Sequence, residues 1–307
     1  MRSDKVLVTG VLGQLGHDVI SELLRRGCAA AGCDILSSNS GPDNNTDISG
    51  IPYIQLDITD RDAVLRTVNE FRPDVVIHCA AWTAVDAAED PANRETVRRV
   101  NVNGTRNIAE AAKAADAKMI YISTDYVFDG KGERPWQPDD QCFGPLNVYG
   151  QSKLDGESAV RAILEKYFIV RTAWVFGLNG NNFIKTMIRA GKTHDAVRVV
   201  RDQIGTPTYT QDLARLLADM SESEKYGCYH ATNEGGFISW YDFCCEIYRQ
   251  YGLQTKVIPV TAEEYGLSKA ARPQNSRLDK SKLADAGFQL LPDWRDAVRR
   301  YLAEARL

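Results

Sequence analysis

Residues 6–16 read Val6-Leu7-Val8-Thr9-Gly10-Val11-Leu12-Gly13-Gln14-Leu15-Gly16, and this stretch decides the fold. The apolar run before the glycines is too short for a helix and is typical of a buried strand. After them, apolar residues recur at helical spacing as far as Leu24. We therefore predict a strand, a tight glycine turn and a helix that ends at Arg25-Arg26-Gly27.

The glycine turn is a candidate phosphate site. Glycines let the backbone adopt unusual dihedral angles and approach a ligand closely, so that the N–H groups and the positive dipole end of the helix can face a pyrophosphate. The alternative is a glycine-rich turn that binds nothing. The residues predicted to bind phosphate here are Gly10, Gly13, Gln14, Leu15 and Gly16.

A second short apolar run, residues 29–33, ends in Asp34, which lies 24 residues after Gly10. An acidic residue near this offset accepts hydrogen bonds from the adenosine ribose of a dinucleotide. Its carboxylate would also repel a 2′-phosphate, since both groups are negative. The sequence therefore predicts a nicotinamide dinucleotide site that prefers NADH and accepts NADPH less well.

Composition excludes some classes of partner. The chain has 307 residues, and its 37 basic and 41 acidic residues give a net charge of −4, which offers no electrostatic surface for nucleic acid or an anionic membrane. No stretch approaches the roughly 18 uncharged apolar residues of a membrane span, and the N-terminal residues form no apolar signal region. We expect a cytoplasmic enzyme with no nucleic-acid or membrane partner.

The seven cysteines form no Cys-x-x-Cys pair, and Cys28, Cys33 and Cys79 lie in or beside predicted buried strands. We expect them to be reduced core thiols. The four histidines lack the spacing of metal ligands, so no metal site is predicted.

Strands and helices alternate through the first half. After a polar stretch from 37 to 50, we predict a strand at 53–56 followed by Asp57 and Ile58, and a helix that Asp60 caps and that ends before Pro73. A buried strand at 74–81, a helix at 91–115 and a strand at 118–122 come next. This alternation predicts an α/β protein with a doubly wound, Rossmann-type parallel sheet.

Candidate ligand-binding residues follow the predicted strands. The small residues Ala80 and Ala81 suit a cofactor that approaches the backbone closely at the carboxyl end of a parallel sheet, where Ser123, Thr124 and Tyr126 also arrive.

Tyr149 and Lys153 open a predicted amphipathic helix, and their spacing places them on one helix face. A tyrosine has an ordinary pKa of about 10, so it exchanges protons poorly at neutral pH unless a nearby positive charge lowers that value. Lys153 would supply the charge, and Thr124 would hold the substrate oxygen. A surface pair is the alternative for an isolated Tyr and Lys at this spacing.

The second half departs from the alternation. We predict helices at 181–190, 210–220 and 240–248, the last with Ser239 and Asp242 as a capping box, and strands at 197–201 and 226–231. These elements predict a dinucleotide-binding domain at 1–175 and a smaller substrate-binding lobe at 176–307, with some segments returning to the main sheet. Arg272 is a candidate phosphate clamp, with a solvated arginine as the alternative.

Taken together, the glycine turn and the Tyr149-x-x-x-Lys153 pair resemble the signature of the extended short-chain dehydrogenase/reductases. Asn101 of this chain is placed like the helix asparagine that is usual in that superfamily. Within that superfamily the chain is most similar to dTDP-4-dehydrorhamnose reductases. Six blocks spread over nearly the whole chain carry the similarity: 79–89, 123–130, 145–150, 171–177, 202–208 and 272–279.

The resemblance implies hydride transfer from NADH or NADPH to C4 of a dTDP-4-keto-6-deoxyhexose, giving dTDP-L-rhamnose. Tyr149 would protonate the oxygen, Lys153 would lower the pKa of Tyr149 and hold the nicotinamide ribose, and Thr124 would orient the carbonyl. The implied substrate contacts are Thr83, Val85, Thr124, Tyr126, Trp174 and Arg272. Besides the glycine turn and Asp34, the implied cofactor contacts are Asp57, Ile58, Ala80, Ala81, Thr83, Asn101, Ser123, Tyr149 and Lys153.

Two positions depart from the family pattern. Trp82 stands where His or Tyr is common, and Asp18 stands where some relatives place a glutamate of a magnesium site at their dimer interface, so we predict no metal and either a monomer or a homodimer. Two other functions stay open. One is an epimerase or dehydratase of the same superfamily, and the other is a regulatory subunit similar to that of methionine adenosyltransferase.

Overall fold

The computed structural model describes residues 4–37, 50–305 and 307. Most of the predicted polar stretch from 37 to 50 lies outside these residues. The strands are β1 (Lys5–Thr9), β2 (Ala29–Asp34), β3 (Tyr53–Gln55), β4 (Val75–His78), β5 (Lys118–Thr124), β6 (Tyr167–Thr172), β7 (Val175–Phe176), β8 (Ala196–Val200), β9 (Ile204–Gly205), β10 (Thr208–Tyr209), β11 (Gly227–His230), β12 (Asn233–Glu234), β13 (Ile238–Ser239), β14 (Lys256–Val260) and β15 (Leu291–Asp293).

The α-helices are α1 (Gln14–Arg25), α2 (Arg61–Phe71), α3 (Val85–Ala88), α4 (Pro91–Arg98), α5 (Thr105–Ala114), α6 (Val148–Ile163), α7 (Phe183–Thr193), α8 (Thr210–Ser221), α9 (Trp240–Tyr251), α10 (Ala262–Tyr265), α11 (Ser281–Asp285) and α12 (Trp294–Glu304).

Seven strands form the main sheet in the order β11-β6-β5-β4-β1-β2-β3, and every pair in it is parallel. Side chains of β1 alternate between its two faces: Val6 and Val8 join one apolar core and Leu7 joins the other. Helices α1 and α8 cover the first face, and α2, α5 and α6 cover the second. The predicted doubly wound parallel sheet is confirmed.

Strand order places β1 beside both β2 and β4, so the chain winds outward from β1 in both directions. At such a switch point the connections after neighbouring strands diverge to opposite faces and leave a crevice at the carboxyl ends. The glycine turn follows β1 directly and therefore lies in this crevice.

Two predicted strands end more than one residue away from their observed ends. β4 ends at His78 and not at Ala81, because its neighbour β1 ends at Thr9, the partner of His78. β5 continues past Ile122 to Thr124, because Ser123 and Thr124 pair with Arg171 and Thr172 of β6.

The helix predicted at 91–115 is present as a continuous helical segment, but it is not α-helical throughout. Residues 99–104 form a π-helix between α4 and α5. A π segment inserts one extra residue into a helix and often marks a functional site. Here it contains Asn101, whose amide contacts the loop after β4.

The second half forms a separate aromatic-rich core from α7, α9 and α12, with β8 and β14 paired beside it. α9 begins with the predicted Ser239–Asp242 capping box. β11 pairs with β6 in the main sheet, and α8 covers that sheet beside α1. The division into domains at 175/176 stays a prediction.

All seven cysteines are free thiols, and Cys33, Cys228 and Cys244 are buried. Of the three predicted core thiols, Cys33 is buried, and Cys28 and Cys79 are partly buried and pack against the apolar core. Cys142 is exposed. It lies in the loop between β5 and α6, outside the strands that bury Cys33 and Cys228.

Candidate active site

Gly10 directly follows β1, in a backbone conformation that favours glycine. Its φ is +73°, and a Cβ at this position would lie 2.6 Å from the backbone nitrogen of Ala80. A Cβ on Gly16 would overlap the Gly10 carbonyl oxygen. The missing side chain of Gly10 therefore lets the turn fit against the loop after β4, and that of Gly16 lets α1 pack against the turn.

Gly13 is the N-cap of α1, and no side-chain hydrogen bond caps this helix. The first turn of α1 contains no acidic residue. The N-terminal N–H groups of a helix carry a partial positive charge and are favourable for an anion. The start of α1 therefore forms an electropositive corner between β1 and β4.

A cavity of about 710 Å³ runs from this corner along the carboxyl ends of the main strands. Most of the predicted site residues line it: Gly10, Gly13, Gln14, Leu15, Gly16, Asp34, Asp57, Ile58, Ala80, Ala81, Thr83, Val85, Thr124, Tyr126, Tyr149, Lys153 and Trp174. The structure thus brings together residues that are up to 164 positions apart in the sequence.

Asp34 ends β2 with its carboxylate held in place. Oδ2 accepts a hydrogen bond from the Leu12 N–H at 3.0 Å, and Oδ1 accepts one from the Ile35 N–H at 2.8 Å. Because each carboxylate oxygen has a second lone pair, both can still accept hydrogen bonds from a ligand. Asp34 therefore presents a fixed acceptor at the cavity wall.

Tyr149 and Lys153 lie in the first turns of α6, and Thr124 lies at the end of β5. The start of α6 is fixed by Asn147, whose side-chain oxygen accepts a hydrogen bond from the Gly150 N–H at 2.7 Å. The predicted catalytic set Thr124, Tyr149 and Lys153 lines one cavity wall.

Burial is the largest influence on the Tyr149 phenol and raises its pKa. The Asp125 carboxylate raises this pKa further, while a hydrogen bond with Thr124 lowers it. We expected the Lys153 charge to lower the pKa of Tyr149, but in this buried setting desolvation is the larger effect. Tyr149 therefore keeps its proton at neutral pH, and it needs a nearby positive charge to release that proton readily.

Lys153 is 3% exposed, and burial lowers the pKa of its ammonium to about 7. Glu157, one turn further along α6, partly offsets this decrease. The Lys153 Nζ lies 4.1 Å from the centre of the Tyr121 ring, a distance at which a cation is attracted to the ring face. Lys153 thus changes its charge close to neutral pH.

Two predicted cofactor contacts, Asn101 and Ser123, lie behind the cavity wall. The Asn101 amide donates hydrogen bonds to the Trp82 carbonyl and the Ser152 hydroxyl and accepts one from the Trp82 N–H. The Ser123 hydroxyl donates to Glu157 at 2.6 Å. These partners engage the side-chain donor hydrogens of both residues, so Asn101 and Ser123 support the residues that line the cavity.

Arg272 also lies off the wall. Its guanidinium forms two hydrogen bonds with the Asp86 carboxylate, at 2.7 and 3.1 Å. It also contacts the phenol of Tyr126, which lines the cavity. In this structure Arg272 is paired with a carboxylate and is not a free phosphate clamp.

Sequence reasoning missed several residues of the wall, most notably Asp125 and Trp240. Asp125 directly follows Thr124 in the 123–130 block, so the sequence could have predicted it as a residue of the cavity wall. Trp240 begins α9 and reaches the cavity by stacking on Trp174, with ring centres 3.8 Å apart. Trp174 has a φ of +51°, a conformation rare for a bulky residue and often found at functional sites.

The part of the chain that the structure describes contains no group of three or more His, Cys, Asp or Glu side chains that could hold a metal ion. Within those same residues, no helix combines the length and apolar character needed to cross a membrane.

Comparison with known proteins places this geometry in a family. The profile described as RmlD substrate binding domain matches residues 4–307. The spore coat polysaccharide biosynthesis protein SpsK of Bacillus subtilis is 37% identical over 98% of this chain and 97% of its own. The dTDP-4-dehydrorhamnose reductase of Aggregatibacter actinomycetemcomitans is 37% identical over 98% of this chain and 99% of its own.

Solved structures agree. The structure of the Bacillus anthracis dTDP-4-dehydrorhamnose reductase in complex with NADP is 38% identical, and the match has a TM-score of 0.87 and covers 99% of this chain and 100% of that one. The resemblance noted in the sequence is therefore confirmed. The chain belongs to the RmlD substrate binding domain family, which includes the dTDP-4-dehydrorhamnose reductases.

Proposed function

We propose that the protein reduces the C4 keto group of dTDP-4-dehydro-L-rhamnose to dTDP-L-rhamnose, with NADH or NADPH as the reductant. The observation that carries the proposal is the single cavity that joins the glycine turn to Thr124, Tyr149 and Lys153. Membership of a family that includes named dTDP-4-dehydrorhamnose reductases supplies the substrate class.

The residues on the cofactor side fit a nicotinamide dinucleotide. The uncapped start of α1 suits a pyrophosphate, and the absence of Cβ atoms at Gly10 and Gly16 leaves the backbone accessible. Asp34 would accept hydrogen bonds from the adenosine ribose, and Lys153 would hold the nicotinamide ribose. The B. anthracis relative in complex with NADP supports this assignment.

A bound reduced nicotinamide supplies the hydride. Tyr149 donates its phenol proton to the C4 oxygen as negative charge develops there. Thr124 orients that oxygen by a hydrogen bond, and the Lys153 ammonium stabilises the phenolate that Tyr149 becomes. General acid catalysis of this kind contributes a factor of about 10² to 10⁴.

The other part of the cavity would hold the sugar. Thr83, Val85, Tyr126 and Trp174 line it as expected, and Trp240 extends the aromatic surface of Trp174. Arg272 would act through Tyr126 and not on a phosphate, since Asp86 already holds its guanidinium.

We also propose that NADH is preferred over NADPH. The support is the fixed Asp34 carboxylate, which would repel a 2′-phosphate. An Asp34→Asn variant keeps the size of the side chain and removes its charge. We expect the ratio of kcat/KM for NADPH to that for NADH to rise about tenfold, which corresponds to about 1.4 kcal/mol. An unchanged ratio would contradict this role for Asp34.

The site of action is proposed to be the cytoplasm, with the protein as a monomer or homodimer. The near-neutral, mixed-charge composition is that of an ordinary cytoplasmic enzyme. Light scattering of the purified protein measures the oligomeric state directly.

The test of function combines purified protein, NADH and enzymatically prepared dTDP-4-keto-6-deoxyhexose. We expect the absorbance at about 340 nm to fall as the keto sugar is consumed in equal amount, with the product identified by NMR. An epimerase or dehydratase would convert sugar nucleotide without net consumption of NADH. A regulatory subunit would bind cofactor and convert nothing.

A further inference from the structure

Asp125 is a carboxyl group of the cavity wall that the proposed reaction does not use. It follows Thr124 directly, at the start of a short 3₁₀ turn over Asp125–Val127, and is 2% exposed. Its Oδ1 accepts a hydrogen bond from the Thr124 hydroxyl at 2.9 Å. Its Oδ2 is buried and forms no regular hydrogen bond within the described residues, although the Ser276 hydroxyl lies close enough to the carboxyl group to lower its pKa.

This contact restricts what Thr124 can do. A threonine hydroxyl has one proton to donate. The Asp125 carboxylate, at 2.9 Å, and the Tyr149 phenol both lie within reach of it, and the ionised carboxylate is the stronger acceptor. The Thr124 oxygen also accepts a hydrogen bond from the Tyr126 N–H at 3.3 Å. While Asp125 is ionised, Thr124 therefore offers the cavity an acceptor, although a carbonyl oxygen needs a donor.

We propose that Asp125 is a positioning residue that sets the direction of the Thr124 hydroxyl proton. When Asp125 is protonated, its carboxyl O–H donates to the Thr124 oxygen, and Thr124 turns its own proton toward the substrate carbonyl. When Asp125 is ionised, it holds that proton away from the substrate. The inference rests on the proposed reductase function.

The proton balance of the reaction is unchanged by this arrangement. The C4 carbon receives the hydride, and its oxygen receives the proton of Tyr149. Asp125 and Thr124 keep their protons and contribute hydrogen bonds alone. The effect of Asp125 is thus on the stabilisation of charge at the carbonyl oxygen.

The surroundings of Asp125 support a change of charge near neutral pH. Burial raises its pKa to about 6, although the hydroxyls of Ser276 and Thr124 oppose this increase. The titratable groups that face it are the phenols of Tyr126 and Tyr149, whose pKa values its charge raises.

Two cations lie nearby without pairing with Asp125. Lys153 lines the same cavity, and Arg272 contacts Tyr126 while bound to Asp86. No cation therefore compensates the buried carboxylate, which is why protonation is accessible.

The test compares pH profiles of kcat/KM for the keto sugar in the wild type, Asp125→Asn and a control, Asp129→Asn. Asp129 lies four residues further along, and its carboxylate accepts a hydrogen bond from the Lys131 N–H. An asparagine amide mimics the protonated carboxyl because it can donate to Thr124 at every pH. We expect kcat/KM of the wild type and of Asp129→Asn to fall about fivefold as pH rises through about 6, which is the effect of one hydrogen bond. The kcat/KM of Asp125→Asn should not show this decrease.

Thr124→Val provides a second test that does not require Asp125→Asn to fold. This variant lacks the hydroxyl through which Asp125 acts. Its kcat/KM should therefore be lower than that of the wild type and should not change as pH passes through about 6. If kcat/KM of Asp125→Asn were lower than that of the wild type by the same factor at every pH, the role of Asp125 would be structural and the proposal would be overturned.

A readout independent of turnover is the ¹³C NMR titration of protein labelled at aspartate carboxyl carbons. We expect one resonance to titrate near pH 6, to be missing in Asp125→Asn, and to titrate at higher pH in Thr124→Val, which loses a hydrogen bond to the ionised form. Titration of Asp125 near the ordinary value of about 3.9 would overturn the proposal. If the wild type reduces the sugar but all profiles coincide, this inference alone fails; if the wild type reduces nothing, the proposed function fails.

Discussion

The cofactor side and the substrate side of the cavity are built differently. The cofactor side consists of short segments at the carboxyl ends of three neighbouring strands of the sheet: the glycine turn after β1, Asp34 at the end of β2 and Ala80 after β4. The substrate side depends on contacts between distant parts of the chain, such as the Trp174–Trp240 stack and the Asp86–Arg272 pair, which spans 186 positions.

This difference shows which interactions each side needs. On the cofactor side, the backbone itself makes the site, so its residues are small or are fixed by backbone hydrogen bonds. On the substrate side, side chains from both halves of the chain meet, and the position of the aromatic pair and of Arg272 depends on the packing of α9 and the 270–276 segment. Substitutions should therefore separate cofactor binding from substrate binding.

The largest expected effect is on the cofactor side, in Gly10→Ala. The new Cβ would lie 2.6 Å from the Ala80 nitrogen, and the φ of +73° is unfavourable for alanine. We expect NADH binding, measured by fluorescence titration, to weaken at least about a hundredfold, since the whole turn must shift away from the pyrophosphate.

Gly27→Ala is the matched control, because Gly27 has a φ of +75° but no atom within 4 Å of an added Cβ. It should lower the free energy of unfolding by about 1 kcal/mol and leave NADH binding unchanged. Equal loss of NADH binding in the two variants would mean that backbone strain, and not the close approach to Ala80, is what matters.

A medium effect is expected on the substrate side, in Trp240→Ala. Trp240 stacks on Trp174 and also lies 4.6 Å, between ring centres, from Phe183. Without it, Trp174 loses the support that holds it at the cavity, so KM for the keto sugar should rise about tenfold, in line with the energy of an aromatic pair. The Kd for NADH should not change.

Trp240→Phe keeps an aromatic ring and should restore most of the substrate affinity. If Trp240→Ala weakened the binding of NADH as much as the binding of the sugar, substitutions could not separate the two sides of the cavity. Thermal unfolding of both variants shows whether the core of the second half is intact.

The smallest effect is expected from Asp86→Asn, which breaks the pair with Arg272. Both partners are partly exposed, and such pairs contribute about 0 to 1 kcal/mol. KM for the sugar should therefore rise by a factor of about two to five, and the wild-type value should move toward that of the variant at high salt. Asp116→Asn, which breaks the surface pair with Lys166, is the control and should leave KM unchanged.

The pair also predicts a pH dependence. The hydrogen bonds from Arg272 lower the pKa of Asp86, so the contribution of the pair is present above the ordinary pKa of an aspartate and is lost as pH falls through the lowered value. The difference in KM between the wild type and Asp86→Asn should disappear in acid. A constant difference would indicate that the amide acts through shape alone.

The same contrast explains what the sequence could predict. The glycine turn, Asp34 and the Tyr149–Lys153 pair have local patterns, and parallel strands bring their carboxyl ends to one edge, so these residues could be placed in one site. Trp240 could not, because its position follows from how α9 packs on Trp174 and Phe183.

Contacts between side chains that are distant in the sequence could not be predicted from the sequence either. Asn101 matches a motif position, but the π-helix that directs its amide to Trp82 is not readable from residue types. Arg272 was recognised as a notable cation, yet its carboxylate partner comes from α3. Asp125 was adjacent to a predicted catalytic residue, and only the burial of its unpaired oxygen reveals its special environment.

The most direct test of the reductase mechanism is the single-turnover rate of keto-sugar reduction in Tyr149→Phe, with the Kd for NADH measured on the same sample. The variant lacks only the phenol oxygen of a residue on the cavity wall. We predict a rate lower by a factor of about 10² to 10⁴, the usual contribution of a general acid, with a Kd for NADH within a few fold of the wild-type value. A rate within a few fold of the wild type would contradict the role of Tyr149 as proton donor.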